Sequence, residues 1–209
     1  MKKFIPPLII LLSFALAIIS FPYLPPTIVT HWGINNNVDG YSSKSFGLFF
    51  LPTLLILLYF LFLFLPKTDP YKHNFAQFKK YYDNFVNLVF VFLFYIYFLT
   101  IAWNYGFEFN LTQFLLPALS LIFYYAGVLN QKARRNWFVG IRTPWTLSSE
   151  SVWNQTHQVG GKLFKLSALT SLLGVFWPTL SVYFLMVPLF GSVIFVFVYS
   201  YFLYRREND

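Results

Sequence analysis

A chain of 209 residues that is 57% hydrophobic, 23% aromatic and only 11% charged lies outside the range of soluble domains and falls in the membrane class. Its formal charge of +8 would suggest nucleic acid in a soluble protein; here the excess is spread over loops between apolar blocks, so direct nucleic-acid binding is not expected. The absence of cysteine excludes disulfides, thiolate catalysis and Cys-ligated metals together.

The first apolar block, Phe4–Leu24, follows Lys2 and Lys3. A basic start, an apolar run and Ala15-Leu16-Ala17 also fit a cleaved signal peptide. Ile18, Ile19 and Phe21 nevertheless carry the run to spanning length, which favours an uncleaved anchor. The outer loop Pro25–Phe46 follows. Within it Thr27–Trp32 is β-prone, and Asn35-Asn36-Asn37 with Asp39-Gly40 supplies turn residues. His31 and Asp39 offer two metal ligands at most, so no metal is expected and a hydrogen-bonded loop histidine is the preferred reading.

Gly47–Leu65 is a second span, with Pro52 inside it. Asp69-Pro70 then reads as a helix start. Tyr71, Phe75, Phe78 and Tyr82 fall at i, i+4, i+7 and i+11, a single stripe flanked by Lys72, Lys79 and Lys80. That pattern predicts a helix lying along the membrane surface. Phe85–Trp103 and Leu111–Leu129 are the third and fourth spans, joined by the short outer loop Asn104–Asn110.

The stretch from Asn136 to Trp153 is polar and residue-specific within an otherwise aliphatic and aromatic sequence. Trp137, Trp145 and Trp153 recur every eight residues, as interfacial anchors do. Pro144 biases Thr143 towards an extended conformation, and the guanidinium of Arg142 suits backbone carbonyls or a carboxylate. Arg142-Thr143-Pro144-Trp145 therefore reads as a structured turn, serving either the fold or a partner. Ser148 as N-cap and Glu150 in the first turn start a second surface helix, Ser149–Val159, with Trp153 and His157 on one face. Gly160-Gly161 is expected to end it. Leu163–Tyr204 has twice the spanning length and breaks at Trp177-Pro178-Thr179, giving two more spans. Pro117 and Pro188 lie inside spans, and Gly127, Gly174 and Gly191 permit close helix approach.

The predicted fold is thus an all-α integral membrane protein with six transmembrane helices, both termini cytoplasmic, and short interfacial helices in the inner loops. Basic residues support this orientation, because cytoplasmic loops accumulate Lys and Arg. Thirteen of the fifteen fall inside, leaving Lys44 outside and Lys165 at the inner mouth of the fifth span. Enzyme chemistry is not expected. No HExxH, Walker A or GxSxG motif occurs, the spans carry essentially no acidic residue, and no cofactor is implied. The same lack argues against a proton-coupled transporter.

The run Gly140-Ile141-Arg142-Thr143-Pro144-Trp145-Thr146-Leu147-Ser148-Ser149 resembles the signature of the SdpI family of bacterial membrane proteins. Pro26, His31-Trp32, Asp39-Gly40, Lys44 and Pro52 resemble the small N-terminal module often fused to it. The resemblance divides the chain into a two-span module (1–65), an inner interfacial segment (66–84) and a four-span module (85–209). It implies a multi-pass plasma-membrane protein that protects its producer from a secreted, membrane-active peptide toxin. It also implies a signal transducer that captures an ArsR-type repressor at the membrane. His31, Trp32, Asp39 and Gly40 are then toxin-side candidates. Asn136, Gly140, Arg142, Thr143, Pro144, Trp145, Trp153 and His157 are inner candidates for docking or structure. A small-solute or peptide transporter is the alternative.

Overall fold

The computed structural model describes residues 4–209; the predicted inner charges Lys2 and Lys3 lie outside them. The described chain is mostly helical. In order it forms α1 (Ile5–Ser20), β1 (Thr27–Trp32), β2 (Val38–Ser43), α2 (Lys44–Thr68), α3 (Lys72–Asn104), α4 (Leu111–Lys132), α5 (Pro144–Ser148), α6 (Glu150–Ser171) and α7 (Ser181–Asn208). Among the described residues, α2, α3, α4 and the segment Pro178–Asn208 are long and apolar enough to cross a membrane; α1 is a shorter apolar helix. Large apolar side chains such as Leu57, Phe60, Phe190 and Ile194 stand exposed along α2 and α7, as a hydrocarbon solvent allows and water does not.

Four expectations change. The fold is not purely helical, because β1 and β2 pair as an antiparallel hairpin. Asp39-Gly40 lies in β2; the turn is made by residues 33–37, with Asn36 at φ +62°. The predicted surface helix at 71–82 is the start of α3, a continuous helix of 33 residues and about 50 Å. Its stripe is packed inward, with Phe75, Phe78 and Tyr82 all buried. Nor does Gly160-Gly161 end a second surface helix, since α6 runs through both glycines. The break near Trp177-Pro178 does occur, as two short 3₁₀ turns between α6 and α7.

The chain divides into two units: one comprises residues up to Leu63 together with Val86–Leu115, the other Phe64–Phe85 and Leu116–Asp209. The first is built on a cluster of Ala17, Leu24, Ile28, Leu48, Tyr97 and Ile101. The Tyr97 hydroxyl donates to the Leu48 carbonyl within it (2.7 Å). Gly47 lets the hairpin lie on the start of α2, since a Cβ there would meet Ile28 Cδ1 at 2.5 Å. Lys44 ties the same corner, its N–H donating to Pro26 O and its ammonium to Leu24 O.

In the second unit α6 and α7 pack along each other. Hydroxyls pair at Ser167–Ser192 (3.0 Å) and, between α4 and α6, at Ser120–Ser171. Interhelical hydroxyl bonds of this kind join helices where lipid offers no hydrophobic driving force.

Candidate functional site

The hairpin carries the four toxin-side candidates. His31 sits opposite Gly40 across the strands, where a Cβ on Gly40 would come within 2.6 Å of His31 Cβ. The missing side chain lets the His31 ring reach Asp39, and both groups of this pair are exposed. Trp32 faces the other way, edge-on to Trp103 at 5.5 Å, and Trp103 in turn meets Phe109. The indole N–H of Trp32 is buried without a hydrogen-bond partner. Among the described residues no group of three His, Asp or Glu converges as a metal site would require.

Two asparagines hold the hairpin in place: Asn36, read from sequence only as a turn residue, and Asn104, read only as the start of the loop 104–110. Asn104, the last residue of α3, accepts from Val29 N–H (2.8 Å) and donates to Val29 O (2.9 Å), occupying the edge of β1 as a neighbouring strand would. Asn36 at the turn accepts from Leu111 N–H and donates to Phe109 O, fixing the hairpin tip against the loop between α3 and α4. Their only sequence signal is an amide side chain beside a turn or a helix end.

The inner candidates form one folded loop. Asn136, fully buried, accepts from Phe138 and Val139 N–H and donates to Arg134 and Val139 carbonyls. One side chain thus satisfies four backbone groups that burial would otherwise strand. Gly140 follows with φ +113°, and a Cβ there would overlap His157 Nε2 at 2.4 Å. His157 donates from Nδ1 to Trp153 O (2.8 Å), so its neutral Nε2 accepts from Ile141 N–H (2.9 Å). Its ring stacks on Trp153, whose indole N–H donates to Ala133 O. Burial holds the His157 imidazole down to about pKa 4, against a smaller upward pull from its bond to Trp153 O. This residue precedes the apolar part of α6, which begins at Leu163.

Thr143 is extended (φ −104°, ψ 161°), as Pro144 requires, and forms a capping box with Thr146 that starts α5. Its hydroxyl also pairs with Ser200 of α7 (3.0 Å). Trp145 packs edge-on against Phe197 and Tyr201. The N-cap of α6 is Ser149, one residue beyond the predicted Ser148, and its hydroxyl donates to Glu207. The hydroxyls of Ser151 and Ser149 hold that carboxyl below its usual value.

Arg142 is exposed and donates to Trp137 O at 2.6 Å, gathering a carbonyl as its fork suits. Of the three tryptophans read as interfacial anchors, Trp153 is fully buried and Trp145 packed; Trp137 alone is largely exposed. Asp69, read from sequence as a helix start, does more. Fully buried, it accepts from Tyr71 N–H at the head of α3 and from Trp137 N–H in the loop. The eight candidates therefore separate. Asn136, Thr143, Trp153 and His157 are internal, Gly140 and Trp145 are half-buried, and Arg142 and Pro144 face outward.

Residues 132–200, which contain this whole loop from Asn136 onward, match the family model described as the SdpI/YfhL protein family. Residues 8–56, which contain the hairpin, match a domain of unknown function, DUF1648. The full chain is similar to the Immunity protein SdpI of Bacillus subtilis (strain 168), at 24% identity over 208 residues, covering 99% of this chain and 98% of the relative. No solved structure matches. With four helices long and apolar enough to cross a membrane among the described residues, and with its similarity to the SdpI/YfhL family, the chain is a multi-pass membrane protein.

Proposed function

We propose that this chain is an immunity protein of the plasma membrane, protecting the cell that makes it from a secreted, membrane-active peptide toxin. The observation that carries this reading is the similarity to Immunity protein SdpI over nearly the whole of both chains, with the DUF1648 match at residues 8–56 preceding the SdpI/YfhL match at 132–200. The chain crosses the membrane six times with both termini in the cytoplasm, the arrangement that leaves thirteen of fifteen basic residues inside. Its modules are a two-span part (1–65), an inner segment (66–84) and a four-span part (85–209).

The toxin meets the hairpin, where the exposed His31–Asp39 pair offers charge and hydrogen bonding. On the cytoplasmic side an ArsR-type repressor docks at the outward face of the 136–157 loop, through Arg142 and Pro144. Trp153, His157 and Asn136 act from beneath by holding that face in shape.

The test is to express the chain in Bacillus subtilis strain 168 lacking its own SdpI and add the secreted peptide fraction of the parent strain. Cells should keep their membrane potential at doses that depolarise the empty-vector control. Depolarisation at the same dose as that control contradicts the immunity reading.

A further inference from the structure

We propose that the cleft between α4 and α6 holds one anionic phospholipid, with an acyl chain in the cleft and the headgroup phosphate at Lys165. The two helices touch through their backbones at Gly127 and Gly161: a Cβ on either would come within 2.6 Å of the carbonyl oxygen of the other. Beyond this crossing lies an apolar groove of about 210 Å³, lined by Pro117, Leu121, Tyr124, Ala168, Leu169 and Leu172. Leu121, Tyr124, Leu169 and Leu172 are exposed. The hydroxyl of Ser120, also in the lining, is engaged with Leu116 O and Ser171. The volume is below that usual for a small-molecule pocket and suits a stretch of hydrocarbon chain.

Lys165 stands three, four and seven residues before Ala168, Leu169 and Leu172, on the same face of α6 and one turn from the groove. Its stem lies over Gly127, and its ammonium is held by the side-chain oxygen of Gln131 at 2.7 Å. Gln131 and Gln158 exchange amide bonds to each other's backbone carbonyls and close this end of the cleft. The ammonium therefore has a neutral partner, whereas Lys79 is paired with the carboxylate of Asp83. A cation at the edge of an apolar groove, oriented by a neutral amide, matches the phosphate of a lipid whose chain lies in that groove. The inference stands on the α4–α6 cleft alone and requires no toxin.

The full chain is reconstituted in phosphatidylcholine vesicles containing a phosphatidylglycerol with a diazirine in its acyl chain; matched vesicles carry the diazirine on phosphatidylcholine. Cross-links at Leu121, Leu169 and Leu172 should favour phosphatidylglycerol about fivefold, the worth of one lysine–anion attraction at the interface. Lys165→Gln should abolish that preference while leaving phosphatidylcholine labelling unchanged, and Lys79→Gln should retain it. Leu169→Trp, at an exposed position, should fill the groove and remove both labels from α4 and α6. For the unaltered protein, added salt should shrink the preference. Equal labelling by the two lipids, a salt-insensitive preference, or a preference that survives Lys165→Gln overturns the proposal. Protection of the groove from both lipids, as by a second copy of the chain, overturns it too.

Discussion

At the scale of single residues, the 136–157 loop is organised by side chains that bond to backbone. Gly140 combines a positive φ with the approach of His157 Nε2. Gly140→Ala should cost about 1–3 kcal/mol from backbone strain alone, more with the overlap, and lower the thermal midpoint in detergent. Asn136→Ala strands four backbone partners and should cost more than about 2 kcal/mol in the same measurement.

His157 makes this loop sensitive to acid. The folded protein binds a proton there only near pH 4, whereas the unfolded chain does so near 6.5. Between those values the unfolded state carries more protons, so stability rises with pH. This contribution is complete above about pH 6.5, declines as pH falls, and is gone below about 4; its full size is roughly 3 kcal/mol. Protonation would also set an Nε2–H against the Ile141 N–H that it now accepts. Unfolding midpoints measured from pH 7.5 to 4 should fall steeply for the unaltered protein and more gently for His157→Gln.

At the scale of elements, helix existence was legible and helix extent was not. The aromatic stripe from Tyr71 to Tyr82 has the period of an amphipathic surface helix, and the helix is there. Burial against protein rather than lipid cannot be read from period alone, so its continuity with the following span was missed. Gly160-Gly161 reads as a stop because glycine favours helix ends. Here both positions are spaces for neighbours, Ile141 at Gly160 and the α4 backbone at Gly161, and packing overrides propensity.

Thr143, Pro144 and the caps of α5 and α6 were legible to within a residue because capping is local. Asp69 as a helix start and Asn36 as a turn residue were legible for the same reason, but the bonds of Asp69 to Trp137, Asn36 to Leu111 and Asn104 to Val29 were not, because those partners lie 68 to 75 residues away. Asn104→Ala removes both bonds to Val29 and should loosen the hairpin by about 1–3 kcal/mol. Limited proteolysis in the 33–37 turn should then speed up while the 136–157 loop stays resistant.

At the scale of the molecule, the orientation proposed from the basic residues puts the hairpin outside the cell and the 136–157 loop inside it. The chain has no native cysteine, so single replacements report cleanly. Asn35→Cys should react with an impermeant maleimide on intact cells, and Ser151→Cys only after lysis; the reverse would invert the orientation. The two surfaces should then fail separately. Arg142 is exposed and holds one carbonyl, so Arg142→Ala should leave stability within about 1.5 kcal/mol of the original.

The most direct measurement is toxin protection and repressor-reporter output, both normalised to protein level, for the unaltered chain, for Arg142→Ala and for His31→Ala with Asp39→Ala. The account predicts that the hairpin variant loses protection first, while Arg142→Ala loses reporter output and keeps most of its protection. Equal losses of both outputs in both variants, or no protection by the unaltered chain, would contradict it.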